Sequence, residues 1–299
     1  MSSAPFSVPA TEEVRRMDSH QPGPVRRLAR LTKSVLAELI YIAKYQEVLR
    51  LRRRTQVDTK AMFSVPSATF ADIPDFDTYV HHDPGIHKYV LLDGRMTWAP
   101  AAAPMRIFLP HLRDTVLRYV EDASTGTVVE FGCGNGHNIL YLAKQFPGMR
   151  CFGIDQAEPR IATARLAAKQ FGLTNVEFIA GDATRPQPGL PEQADVCYSV
   201  AALEQMPRIY AGAVESMVKR ARRAVVLFEP IPEMWTLNWR GLMARFRALM
   251  VDNMHGMPDF LRAHGYRVTE MSLLDYADDP YNPISEIHIV PTGTASVHR

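Results

Sequence analysis

"VVEFGCGNGHNI", residues Val128 to Ile139, places three glycines on alternate positions directly after a β-branched run. Gly132 can turn the chain sharply out of a strand, and Gly134 leaves the backbone open to close approach. Gly136 stands where a helix begins with unpaired amide N–H groups. A loop that cradles a pyrophosphate reads G-x-G-x-x-G/A. Here the spacing is G-x-G-x-G, and His137 occupies the place of the third small residue. That departure argues against a nicotinamide dinucleotide.

The stretch opens a regular alternation. Strand "TVVEF", helix "HNILYLAKQF", strand "RCFGID", helix "PRIATARLAAKQFG", strand "NVEFIA" and strand "ADVCYSV" come in order. Helix "RIYAGAVESMVKRAR", strand "AVVLFEP", a helical stretch near 236–264, and strands "YRVTEMSLLD" and "SEIHIVP" complete it. Strands separated by helices predict βαβ units and a parallel sheet covered on both faces. The last two strands lack a helix between them and are expected to pair antiparallel. The predicted fold is therefore α/β: a doubly wound, mostly parallel sheet of seven strands, with ligands at the carboxyl ends of its strands.

Acids stand at the strand ends. Glu130 precedes the loop, where a carboxylate suits an ammonium group or a water network better than a pyrophosphate. Asp155 ends the second strand, 19 residues after Gly136, and can accept hydrogen bonds from both hydroxyls of a ribose. Asp182 follows the third strand in "IAGDAT". Its side chain and the Ala183 amide can read the edge of an adenine.

The ordered set "VVEFGCGNG", "GIDQA", "AGDAT" and "ADVCYSVAALEQMP" resembles the class I S-adenosylmethionine-dependent methyltransferases over about residues 106–291. The resemblance implies S-adenosylmethionine as cofactor. It implies that Gly132, Gly134 and Gly136 face the methionine part, that Asp155 holds the ribose, and that Gln156 flanks the adenine. Asp182 with Ala183 would bind the base, and residues from Val200 to Glu204 would line the floor of the site. Methyl transfer from a sulfonium is an in-line displacement in which the protein positions a nucleophile and excludes water. No compact catalytic signature is therefore expected.

The 299 residues divide into a tail (1–24), a helical and irregular extension that caps the substrate (25–105), the core (106–291) and a second tail (292–299). Within the core, 230–264 reads as a cap insertion. It carries Trp235, Trp239 and Phe246, with Glu229, Glu233 and His255 near the expected mouth. Part of it is expected to roof a small-molecule substrate, contacted by Glu204, Glu229, Glu233 and Trp235. His255 is a candidate general base. Glu229 and Glu233 could anchor a cationic amine, or simply favour the positive end of a helix dipole.

Between Val25 and Arg54 stand nine Lys/Arg and two Asp/Glu, along an apolar stripe at helical spacing: Leu28, Leu31, Val35, Leu39, Ile42 and Leu49. We read this segment as a packing helix of about 30 residues. It would cap the active site or be exchanged between subunits of a homodimer. RNA methylation through this basic helix is the alternative, although no RNA-binding module is recognisable. "YVHHDPGIHKY" places His81, His82 and His87 at no known ligand spacing, so no metal is expected. Three sparse cysteines, the lack of an apolar leader and the lack of a membrane-length apolar run predict a cytoplasmic protein without a membrane span.

Overall fold

The computed structural model describes residues 73–206, 209–250 and 253–291, all within the compact unit Arg53–Arg299. The tails and the basic segment Val25 to Arg54 lie outside the described residues. The described part begins with helix α1 (Phe76–Val80), the hairpin β1 (His87–Leu92) and β2 (Arg95–Pro100), and α2 (Ala103–Leu117). The core follows as β3 (Thr127–Phe131), α3 (His137–Gln145), β4 (Arg150–Asp155), α4 (Glu158–Gln170), β5 (Val176–Ala180) and β6 (Ala194–Val200). Then come α5 (Tyr210–Arg220), β7 (Ala221–Glu229), α6 (Trp239–Met250), α7 (Met257–Ala263), β8 (Arg267–Leu273) and β9 (Ser285–Val290).

The seven core strands form one sheet in the order β5-β4-β3-β6-β7-β9-β8. The pairs among β3 to β7 are parallel, while β9 lies antiparallel to both β7 and β8. The closing hairpin is thus present, but its second strand is inserted between β7 and β8. Chain order reverses at β3, whose neighbours are β4 and β6, and such a switch point opens a crevice beyond the carboxyl ends of the strands. Every residue of β3 is buried, as a central parallel strand requires. One apolar cluster packs α2, α3 and α4 on one face, through residues such as Leu112, Leu140 and Ile161. A second packs α5 and α7 on the other, through Val214, Met217 and Leu261.

Two regions differ from expectation. The stretch 55–105 is not wholly irregular, because its described part holds β1 and β2. Asp93 (φ 48°) and Gly94 (φ 67°) make the two-residue turn between them, in the left-handed pair of conformations that suits a hairpin. The hairpin is tied to the connection between β8 and β9: the Leu91 and Ala277 amides each donate to the other's carbonyl, at 2.9 and 3.0 Å. The insertion after β7 is two helices rather than one continuous stretch, with Gly256 (φ 81°) at the start of α7. No helix among the described residues is long and apolar enough to cross a membrane.

Candidate functional site

Beyond the carboxyl ends of β3, β4 and β6 lies a cavity of about 300 Å³. Its walls include Gly132, Gly134, Asp155, Gln156, Ala183 and Val200, so six of the residues singled out in the sequence come together at one place. The three glycines are all left-handed, with φ of 75°, 53° and 82°, and each has its own reason. A Cβ on Gly132 would stand 2.3 Å from the Ala202 methyl group, and one on Gly136 would meet the Phe178 ring at 2.8 Å. Those two positions are closed by packing. At Gly134 a Cβ would meet only the far end of Arg160, at 3.4 Å. The backbone at Gly134 therefore stands in the cavity wall with only a flexible side-chain end against it, which leaves it more accessible than its two neighbours.

Asp155 braces that loop from the end of β4. Its Oδ2 accepts the Gly134 amide at 2.9 Å and its Oδ1 accepts the Ala157 amide at 2.8 Å. Each oxygen keeps a further lone pair for a hydroxyl donor. Asn138, on the first turn of α3, supplies a second fit. Its Nδ2 donates to Glu130 Oε1 at 2.8 Å, while its Oδ1 is buried with no partner among the described residues. Because Asn138 lines the cavity, that oxygen is an acceptor suited to an ammonium group. Glu130 does not line the cavity. It lies behind the loop, 1% exposed, taking a second hydrogen bond from the Tyr198 hydroxyl at 3.3 Å. Burial pushes its carboxyl up to about 8, against the hydrogen bonds from Asn138 and Tyr198. Its place in the site is to orient Asn138.

Asp182, like Glu130, stands behind the cavity wall. Its Oδ1 accepts the Thr184 amide (2.9 Å) and hydroxyl (2.7 Å), and Oδ2 pairs with Arg185 at 3.3 Å. It shapes the turn that presents Ala183, and only Ala183 reaches the cavity wall.

The expected substrate residues are placed otherwise. No described residue of 230–264 lines this cavity. Glu229 is fully buried and accepts the amides of Ala202, Leu203 and Glu204 at 3.1 to 3.2 Å. It caps the short 3-10 turn after β6, with burial pushing its carboxyl up to about 7. Glu233 accepts the Gly256 amide at 2.6 Å and anchors the start of α7. Trp235 is 2% exposed, and its indole donates to the Pro283 carbonyl at 2.8 Å, which makes it a core anchor. Glu204 accepts the side-chain amides of Asn253 and Asn282. His255 is exposed and borders no part of the cavity, its Nδ1 lying 3.2 Å from the Asn253 carbonyl. Trp239 and Phe246 point outward, 60% and 47% exposed.

Residues to which the sequence assigned no part in the site also line the cavity: His82, Met105, Asn135, His137, Arg160, Gln205 and Met206. His82 and Met105 come from the segment before the core, as a cap would. His81 and His82 form no metal cluster with His87. Among the described residues one group has suitable ligand atoms, Glu270, Glu286 and His288, but the Arg118 guanidinium pairs with both of its acids at 2.9 and 3.5 Å. Cys133, Cys151 and Cys197 are free and buried.

Residues 128–226 match the family described as "Methyltransferase domain". Over these residues, a third of the chain, the protein is similar to the S-adenosylmethionine-dependent methyltransferases. It is 35% identical over 107 residues to a trans-aconitate 2-methyltransferase of Paracidovorax citrulli, a match that covers 35% of this chain and 36% of that protein. It is 30% identical over 83 residues to an S-adenosyl-L-methionine-dependent Diels-Alderase of Talaromyces variabilis, covering 28% of this chain and 27% of that one. The chain thus aligns with about a third of the length of these relatives. Among solved structures, the 4+2 cyclase SpnF superposes with a TM-score of 0.53 at 16% identity, over 81% of this chain and 98% of that one.

Proposed function

We propose that the cavity binds S-adenosylmethionine and that the protein transfers its methyl group to an O or N atom of a small metabolite. The observation that carries this reading is the meeting of the accessible Gly134 backbone, Asp155, Gln156, Ala183 and Val200 around one cavity of about 300 Å³. The cofactor supplies an activated methyl on a good leaving group, so no elaborate catalytic apparatus is needed. The chain's share is placement: Asp155 accepts from the ribose, Asn138 Oδ1 accepts from the ammonium, and the buried rim excludes water. Met105, Gln205 and Met206 face the cavity and are the natural neighbours of an acceptor. The trans-aconitate relative makes small carboxylic acids the first acceptors to try.

We extend this reading to a biosynthetic, cytoplasmic enzyme that acts as a homodimer through the basic segment Val25 to Arg54. Three buried free cysteines support a reducing compartment, and sedimentation of the full chain tests the dimer. The test of the activity is incubation with methyl-labelled S-adenosylmethionine and three acceptor sets: di- and tricarboxylic acids, amines, and mixed tRNA. Label in a small molecule is expected. Label in tRNA that falls steeply with added salt would instead favour the RNA reading. A second reading has the two cyclase names behind it: the cofactor binds and is never consumed. In that case S-adenosylmethionine would be retained and S-adenosylhomocysteine would not form with any acceptor.

A further inference from the structure

Helix α6 (Trp239–Met250) turns the usual pattern of a surface helix inside out. It rests on the domain through its smallest residues, Gly241, Ala244 and Ala248, which are buried. Gly241 has no room for a Cβ, because the Thr236 carbonyl lies against it. The large apolar side chains face the other way: Trp239 is 60% exposed, Leu242 48%, Phe246 47% and Leu249 70%. Steps of three, four and three residues set these four along one stripe. A helix that served the fold alone would bury that stripe and expose its alanines.

The borders of the stripe are basic. At 3.6 residues per turn, Arg240 and Arg247 flank it on one side and Arg245 on the other, and the helix contains no acid. Arg240 donates to the Gly94 carbonyl at 3.1 Å, and Arg245 donates to the carbonyls of Trp235 and Glu233. These neutral partners leave both positive charges in place. Arg247 pairs with Asp279 at 2.6 Å, and the Glu233 carboxylate is turned to the Gly256 amide. Trp, Leu and Phe between rows of arginine form the pattern of a helix that lies in the plane of a membrane surface. The apolar side chains enter the acyl boundary, while long arginine stems let the guanidiniums rise to the lipid phosphates. A second copy of the chain fits the stripe less well. Two-fold pairing of α6 with itself sets three arginines against three, with no acid on either helix.

We propose that α6 docks the protein on an anionic lipid bilayer, with Trp239, Leu242, Phe246 and Leu249 inserted and the arginines at the headgroups. This inference goes beyond the cofactor reading and does not depend on it. A helix of 12 residues is too short to span a bilayer, so the contact is peripheral. Its strength comes from two sources, the apolar area that leaves water and the attraction of the arginines to anionic headgroups.

Flotation of the full chain with vesicles of phosphatidylglycerol mixed with phosphatidylcholine, and of phosphatidylcholine alone, tests the proposal. Binding to the anionic vesicles is expected, with weaker binding to the neutral ones. Leu242→Gln combined with Phe246→Gln should weaken it at least tenfold. The thermal midpoint of this double variant should match that of the parent, because both side chains are exposed. In a Trp98→Phe background the other two tryptophans are the buried Trp235 and the exposed Trp239. Fluorescence emission should then shift to the blue on anionic vesicles as Trp239 leaves water. Unchanged vesicle affinity in the double variant, with no shift at Trp239, would overturn the proposal and assign the binding to the basic segment Val25 to Arg54. Absence of binding to either vesicle would overturn it too. A parent dimer dissociated by the same double variant would in that case give the stripe to a second copy.

Discussion

The two ends of the domain carry their acids to different purposes. At the β3–β4 end, Asp155 stands in the cavity wall and keeps lone pairs for a ligand. At the β7 end, Glu229, Glu233 and Glu204 are consumed by backbone and side-chain amides within the protein. All four are acids in or next to turns near the carboxyl end of the sheet, so position alone does not separate them. What separates them is whether the local turn has donors to satisfy. The 3-10 turn after β6 leaves three amides facing Glu229, and a buried carboxylate there completes the turn.

Glu229→Ala should break this contrast most severely. It strips three amides, two of them buried, of their acceptor, and a loss of roughly 3 kcal/mol is expected on urea unfolding. Full retention of stability would mean that the turn does not depend on Glu229. Gly136→Ala comes next. The left-handed backbone and the 2.8 Å approach to Phe178 predict a loss of about 2 kcal/mol, whereas Gly134→Ala should cost less stability and more cofactor affinity. Equal stability losses at the two glycines would erase the distinction between packing glycine and ligand-facing glycine.

The sequence carried the cofactor end because its requirements are local. A β-branched strand, alternate glycines and a strand-end acid lie within the 28 residues from Val128 to Asp155, and each states its backbone conformation or its charge. The hairpin had an equally local sign, Asp93-Gly94 between "HKYVLL" and "RMTWAP", which the surrounding prolines and histidines obscured. The cap residues were another matter. Trp235 and His255 have the chemistry of a substrate site, but the chain's path decides whether they face inward. Nor does any spacing place His82 in the same cavity wall as Arg160, 78 positions away. The closing pair of strands was legible, while the insertion of β9 between β7 and β8 was not, because pairing partners are a property of the whole sheet.

Asp155→Ala sharpens the comparison from the other side. It should weaken S-adenosylhomocysteine at least tenfold while costing only about 1–2 kcal/mol of stability. Unchanged affinity would remove Asp155 from the ribose role. A smaller, pH-dependent effect is expected at Glu286, 2% exposed, which bonds both His111 and His288 at 2.7 Å. Burial pushes its carboxyl up, but those hydrogen bonds bring it well below the usual carboxylate range. The unfolded state therefore binds the proton more readily. The contribution is full above the unfolded carboxylate pKa of about 4.3 and is lost as pH falls below it. Glu286→Gln should flatten the acid limb of the stability profile, and an unaltered limb would show that other groups govern it. Smallest of all, His255→Ala should leave stability within about 0.5 kcal/mol and turnover within about twofold, as for an exposed side chain away from the cavity.

The central claim is that the wall around Gly134 and Asp155 is an adenosyl-cofactor site. Calorimetric titration of the purified full chain with S-adenosylmethionine, S-adenosylhomocysteine and NAD tests it most directly. The account predicts micromolar binding of both adenosyl ligands and none of NAD. Failure of both adenosyl ligands to bind, or binding of NAD in their place, would contradict it.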